Sequence, residues 1–358
     1  MTKISSRQLY FFLACIAPLG KLILLPAQLV KFSKNDLLFP ALIGFLVQAA
    51  VVFCVLLLAK RKMSFYELLA STFGRVVAKI LLTVFAIFLF YAALLPLLEQ
   101  KLFVEGVLYD TLPSIVAFSP FFVLAAYLCS KPLGAFGRTW DILAPLAIVG
   151  FVGILLLSVG NAKYGALLPV GASGVTGILK GTAYSTSWFY DAPILLALLG
   201  KIEYKKGMAW KGTLWYLAGA LGVLFFLATF YGIFQETALN QPFAYARTSK
   251  YFAGITVLGR IDYLFSFLLT LVLAFWIALP IQAGVDCIDQ AYGRPRYLAV
   301  LLGIGINLVL FFISVFFEYR FGDIFQTISQ PLWWIFPIFC VILPPLCLLL
   351  RRERRETA

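Results

Sequence analysis

The stretch Ile16-Ala17-Pro18-Leu19-Gly20-Lys21-Leu22-Ile23-Leu24-Leu25-Pro26 lies in the middle of the first apolar segment, residues 9–30. That segment is long enough to cross a bilayer as a helix. Pro18 removes a backbone donor and Gly20 weakens helicity, so the pattern predicts that the helix is broken near mid-membrane. Because lipid cannot satisfy the freed backbone groups, such a break requires surrounding protein or a wet cavity.

Lys21 also indicates that protein or water surrounds this part of the segment, because a lysine at the bilayer centre costs roughly 2.5–3.5 kcal/mol on insertion scales. One alternative is a proline-kinked helix whose lysine side chain extends to the membrane surface. About ten residues separate Lys21 from either end of the segment, so the side chain reaches the surface poorly. We therefore expect a substrate or ion site at this break.

The composition places the whole chain in the membrane. Of its 358 residues, 62% are hydrophobic and 13% are charged, which predicts an all-α integral membrane protein with a single domain, residues 1–358. The net charge of +13 comes from short basic runs between apolar segments rather than from one patch, so we expect the lipid bilayer and not a nucleic acid as partner. The chain has no histidine, and its six cysteines are scattered without metal-ligand spacing. We expect no metal, no cofactor and no enzymatic activity.

Ten apolar segments are long enough to be membrane helices. They cover residues 9–30, 37–59, 80–98, 114–130, 142–159, 178–199, 214–234, 261–283, 297–317 and 332–350. An amphipathic piece at residues 64–75 is expected to lie at the interface, and the basic tail, residues 351–358, to lie in the cytoplasm. With both termini in the cytoplasm, nineteen of the 29 lysines and arginines fall inside and nine outside, as the positive-inside rule requires.

A second interruption, Ser185-Thr186-Ser187-Trp188-Phe189-Tyr190-Asp191-Ala192-Pro193, lies in the sixth segment. The alternative is an amphipathic stretch that straddles the interface. Broken helices at positions one and six of ten are typical of a 5+5 inverted repeat, here about residues 7–159 and 171–350. In such folds the ends of the half-helices face the ligand near the bilayer midplane, and an amino-acid carboxylate is the simplest ligand for them.

Four short motifs support a family resemblance. They are Ile4-Ser5-Ser6-Arg7-Gln8-Leu9, Leu22-Ile23-Leu24-Leu25-Pro26, Ala166-Leu167-Leu168-Pro169-Val170 and Leu258-Gly259-Arg260-Ile261-Asp262-Tyr263-Leu264-Phe265. In their order and spacing the chain resembles the spore-germination permeases of the GerAB type, within the amino acid–polyamine–organocation superfamily. The resemblance implies ten helices in a LeuT-like fold. It also implies a germinant-receptor subunit that senses amino acids in the spore inner membrane or the cell membrane, together with other receptor subunits. Lys21 departs from the small, glycine-containing stretch usual in that family.

The two interruptions are expected to form one cavity, with aromatic side chains as its apolar wall. The candidate ligand-binding residues are Ala17, Leu19, Gly20, Lys21, Leu22, Tyr184, Ser185, Ser187, Trp188, Phe189 and Asp191. Lys21 and Asp191 are the candidates for ion coupling, because a buried lysine is costly without a partner. A static pair that only fixes the geometry of the break is the alternative.

Three further polar residues remain outside this set. Gln28 and Gln48 could each line the pathway or bridge two helices. Glu99 is expected in the loop that follows the third segment at residue 98, where it is interfacial or reaches the outer vestibule.

Two functions fit these predictions. One is a germination subunit that binds a small amino acid or zwitterion and signals; the other is a proton-linked or sodium-independent amino-acid transporter without a germination role. The eighth segment offers only Ser266 and Thr270 as hydroxyl ligands, and Lys21 would repel sodium. We therefore expect sodium independence in either case.

Overall fold

The computed structural model describes residues 3–108, 113–250, 261–293, 295–316 and 335–356, and this part of the chain is almost entirely helical. In chain order its α-helices are α1 Ser6–Phe11, α2 Ala17–Leu19, α3 Leu25–Ser33, α4 Leu38–Ala59, α5 Phe65–Phe73, α6 Arg75–Ala92, α7 Leu94–Phe103, α8 Ser114–Cys129, α9 Leu133–Ser158, α10 Gly174–Ser185, α11 Asp191–Ala197, α12 Met208–Phe234, α13 Ala244–Ser249, α14 Ile261–Tyr292, α15 Arg296–Phe316, α16 Ile335–Pro337 and α17 Leu343–Glu356. Within these ranges there is no strand beyond one isolated bridge between Ile4 and Ile202.

Six spans of the described chain are long and apolar enough to cross a membrane, which confirms a multi-pass, all-α membrane protein. They are Leu38–Ala59, Arg75–Val107, Leu133–Asn161, Met208–Asn240, Phe267–Tyr292 and Tyr297–Val315. The other four predicted segments contain shorter or interrupted helices, so the ten-helix count, the 5+5 repeat and the single domain stay predictions. The motif residues 258–260, the side chain of Ser266 and the start of the tenth segment, 332–334, lie outside the described residues.

Helix α14 lies at the centre of the bundle. Its span Phe267–Tyr292 is 89% buried, whereas the neighbouring span Tyr297–Val315 is 28% buried. It packs against α6, α8, α9 and α15. Apolar side chains such as Leu156, on the outside of the bundle, are exposed as contact with lipid requires.

The third segment continues well beyond its predicted end. Helix α6 is followed directly by α7, and together they form one apolar span to Val107. Pro96 lies in the first turn of α7, where its missing N–H is tolerated, so it does not end the segment. Glu99 therefore lies inside a helix, only 1% exposed, and not in the loop predicted after residue 98.

At one end of the bundle, Asp36 holds the connection that precedes α10. Its carboxylate accepts hydrogen bonds from the Gly171 amide, the Ser173 amide and the Ser173 hydroxyl, each at 2.7 Å. Burial raises the pKa of the Asp36 carboxyl, but these hydrogen bonds outweigh burial, and the pKa is lowered overall. The corner between α3 and α4 is thereby fixed to the start of the second broken helix.

Replacing Asp36 by asparagine is expected to destabilise the protein by about 1.5–3 kcal/mol at neutral pH, the usual range for hydrogen bonds to a charged group. Because the folded-state pKa is lowered, this stabilisation is complete above the unfolded-state pKa of about 3.9 and declines as the pH falls through the folded-state pKa. The free energies of unfolding of the parent and the variant, measured in mixed micelles, should therefore converge as the pH drops below about 4. A constant difference across that range would contradict the assignment.

At the other end of the bundle, the N-terminus is held against the chain that follows α11. The Ile4 amide donates to the Lys201 carbonyl at 2.9 Å, and the Glu203 amide donates to the Ile4 carbonyl at 2.9 Å. Lys201 also pairs with Asp286 at the end of α14. The beginning of the first broken helix and the end of the second are thus linked to each other and to the central helix.

Candidate ligand site between two broken helices

The first break occupies residues 20–24, between α2 and α3. Trp276 of α14 closes one side of it. Its indole Nε1 donates to the Ile16 carbonyl at 2.8 Å. A Cβ at Gly20 would lie 2.4 Å from that same Nε1, so glycine is needed here for the close approach of the indole.

The short helix α13 satisfies two backbone groups that the break leaves free. The Leu22 carbonyl accepts from the Tyr245 amide at 3.3 Å, and the Ile23 carbonyl accepts from the Ala244 amide at 3.1 Å. Helix α13 belongs to the connection that follows α12, and most of its residues are buried inside the bundle. Protein groups therefore replace the water that the bilayer lacks.

The second break lies between α10 and α11 and includes a 3₁₀ turn at Thr186–Trp188. Gln48 of α4 bridges it: with the amide orientation that its neighbours require, its oxygen accepts from the Ala192 amide at 2.8 Å. Its nitrogen donates to the Phe189 carbonyl at 3.3 Å. Gln48 thus joins α4 to the broken helix, which decides between the two roles considered for it.

Lys21 and Asp191 bring the two breaks into direct contact. The Lys21 Nζ lies 3.0 Å from Oδ1 and 2.9 Å from Oδ2 of Asp191, and it also donates to the Ala17 carbonyl at 2.8 Å. Tyr216 of α12 donates to Asp191 Oδ2 at 2.9 Å. The two charged side chains are only 2% and 0% exposed, so the pair is closed off from solvent.

A small cavity lies beside this pair, with about 200 Å³ of empty space that includes space open to solvent. Its lining residues are Ala17, Gly20, Lys21, Leu95, Glu99, Trp188, Tyr190 and Trp276. They come from both breaks, from α7 and from α14. Glu99 Oε1 accepts from Trp188 Nε1 at 2.8 Å and from the Leu24 amide at 3.2 Å, so its carboxylate also joins the two breaks.

The predicted site residues divide into three groups. Those that line the cavity are Ala17, Gly20, Lys21 and Trp188. Those buried in or near the breaks but outside the lining are Leu19, Leu22, Ser185, Ser187, Phe189 and Asp191. Tyr184 is 40% exposed and stacks on Phe32 in the outer wall of the bundle, away from the cavity. A ligand role for any of them stays a prediction.

Four lining residues were not predicted: Leu95, Glu99, Tyr190 and Trp276. Tyr190 lies inside the interrupted stretch of the sixth segment, and an acidic residue in an apolar run was a usable signal for Glu99. Leu95 and Trp276 are apolar residues in apolar helices, where no pattern indicates which face meets the cavity.

A helical bundle with two interrupted helices, whose breaks meet at a buried cavity containing charged side chains, defines a permease-like membrane protein. The family model for spore germination proteins, the spore permeases, matches residues 3–318. The chain therefore belongs to the spore-germination permease family, and the predicted resemblance to that family is confirmed. The superfamily and the LeuT-like fold stay predictions. The search of curated proteins finds no match.

Proposed function

We propose that this protein is a ligand-sensing membrane subunit of spore germination, and that it binds a small amino acid or similar zwitterion. The observation that carries the proposal is the cavity bordered by residues of both helix breaks. A ligand there would touch both broken helices and could thereby change their relative position. The other subunits of a germinant receptor are the expected partners, and both termini are expected in the cytoplasm.

The size of the cavity favours a small ligand. Its empty space of about 200 Å³ includes space open to solvent, which leaves room only for a small molecule. Its lining combines aromatic and apolar side chains with two charged groups, Lys21 and Glu99. That combination suits a small molecule with an apolar side chain and charged ends.

The second candidate is a proton-linked or sodium-independent amino-acid transporter without a germination role. It is favoured by the membership in a permease family and by the Lys21–Asp191 pair, which joins the breaks that alternate access would move. Both candidates need the same cavity. They differ in whether bound ligand is released on the far side of the membrane.

The two are tested with the purified protein in liposomes, by binding and uptake of labelled glycine, L-alanine and L-valine. We expect saturable binding without accumulation, and no change when choline replaces sodium. Ala17→Leu should reduce the affinity at least tenfold because it fills the cavity, whereas Ala50→Leu, on the exposed face of α4, should not. Accumulation against a gradient would support the transporter instead. The proposed ligand class fails if none of the three amino acids binds.

A further inference from the structure

Glu99 is a buried carboxylate that is not part of the Lys21–Asp191 ion pair. It lies on α7, is 1% exposed and lines the cavity. It forms no ion pair with any described residue. Both of its hydrogen bonds, from Leu24 and Trp188, go to Oε1.

Lys21 attracts Glu99 electrostatically but donates no hydrogen bond to it. An ammonium group has three N–H donors, and those of Lys21 face the Ala17 carbonyl and the two carboxylate oxygens of Asp191. The site therefore contains two carboxyl groups and one ammonium group. A buried carboxylate without its own cation is unfavourable, so Glu99 either takes up a proton or binds one more positive group, and the ammonium group of a ligand would be such a group.

The walls of the cavity are suited to such a group. Trp188, Tyr190 and Trp276 line it together with Glu99. Tyr190 and Trp276 hold each other edge to face, with ring centroids 5.1 Å apart. The faces of indole and phenol rings attract ammonium ions, and the Lys21 Nζ already lies 5.7 Å from the centroid of the Trp276 ring.

The carboxylate end of a zwitterion finds fewer free hydrogen-bond donors at the first break. The start of α3 is the helix end where an anion would be favoured. Its Leu24 amide already donates to Glu99, so the protein's own carboxylate occupies that position. One amide that the first break would offer to the ligand's carboxylate therefore already donates to Glu99.

We propose that Glu99 binds the ammonium group of the ligand. The cavity then selects small primary amines and amino acids over carboxylic acids of the same shape. This inference rests on the proposed function and specifies which end of the zwitterion the site recognises.

The test compares three sets of probes by calorimetric titration of the full-length protein in nanodiscs. Each set contains an amino acid, the amine that lacks its carboxylate and the acid that lacks its amine. The sets are glycine, methylamine and acetate; L-alanine, ethylamine and propionate; and L-valine, isobutylamine and 3-methylbutanoate. We expect the best amino acid and its amine to bind at least tenfold more tightly than the corresponding acid.

Glu99→Gln should reduce the affinity for the amino acid and the amine at least tenfold and leave the acid unaffected, because glutamine keeps the shape and an acceptor oxygen but not the charge. Glu236→Gln, at an exposed glutamate, is the matched control and should change nothing. Thermal unfolding of the probe-free variants checks that each is folded. If Glu99→Gln does not fold, Glu99→Asp replaces it and should weaken the amine and the amino acid in the same ratio.

The outcomes separate this inference from the proposed function. If amino acids bind the parent and Glu99→Gln equally, the inference is wrong and the proposed function stands. If amines bind through Glu99 but amino acids do not, the proposed function is wrong and the inference stands. The inference is overturned if no probe binds the parent protein. It is also overturned if Glu99→Gln abolishes the binding of sodium and leaves the binding of amines unchanged.

Discussion

Lys21→Met is expected to destabilise the protein by about 3–5 kcal/mol, the range found when one partner of a buried ion pair is removed. Asp191, with no exposed surface, would keep only the Tyr216 hydroxyl as donor. Unfolding of the parent and the variant in mixed detergent micelles, followed by tryptophan fluorescence, measures the difference. A loss below about 1 kcal/mol, as for an exposed ion pair, would contradict the buried geometry.

The double variant Lys21→Met with Asp191→Asn is the control for this prediction. It removes both charges, and Tyr216 can still donate to the side-chain oxygen at position 191. We expect it to recover much of the lost stability, because the main penalty in the single variant is the unpaired carboxylate. If the double variant is as unstable as the sum of the two single variants, the residues do not act as a pair.

Whether the pair also couples a proton is a separate question, and Lys21→Arg addresses it. Arginine keeps the positive charge but does not release a proton in the accessible pH range. A proton-coupling lysine should lose the pH dependence of ligand binding in both the methionine and the arginine variant. A static pair should tolerate arginine better and show an unchanged pH profile. The ion-coupling role stays a prediction until this comparison is made.

The sequence was informative about the breaks because their causes are local. Pro18, Gly20 and Lys21 interrupt an apolar run, and a break that exposes backbone inside a membrane must be covered by protein or water. The pairing of Lys21 with Asp191 followed from the same reasoning, since each buried charge needs a partner. The structure places these two residues in contact.

What the sequence could not indicate depends on contacts between distant segments. The buried helix α13 lies in a connection with many polar residues, and its amides reach the carbonyls of Leu22 and Ile23 only in the folded bundle. Trp276 lies in a helix that is apolar on all sides, so periodicity does not show which face meets the first break. Glu99 was predicted in an interfacial loop because the apolar run stops at residue 98, whereas the helix continues through the polar residues that follow.

The second large effect is expected at Gly219, where α12 crosses the first broken helix. A Cβ at this position would lie 2.1 Å from the Ala14 carbonyl oxygen and 2.7 Å from the ring of Pro18. The first of these contacts is with backbone, so no side-chain rotation relieves it. Alanine should therefore force the two helices apart.

Gly219→Ala is expected to cost about 1–3 kcal/mol, and Gly219→Leu about 3 kcal/mol or more. The first broken helix contains Lys21, which lines the cavity. A displacement of this helix should therefore lower ligand affinity together with stability. Gly305→Ala on α15 is the matched control: nothing lies within 4 Å of its Cβ, and alanine should be neutral or stabilising by up to about 1 kcal/mol. Unfolding in mixed micelles and calorimetric titration measure both effects. Equal stability of the Gly219→Ala and Gly305→Ala variants would show that α12 and the first helix do not cross this closely.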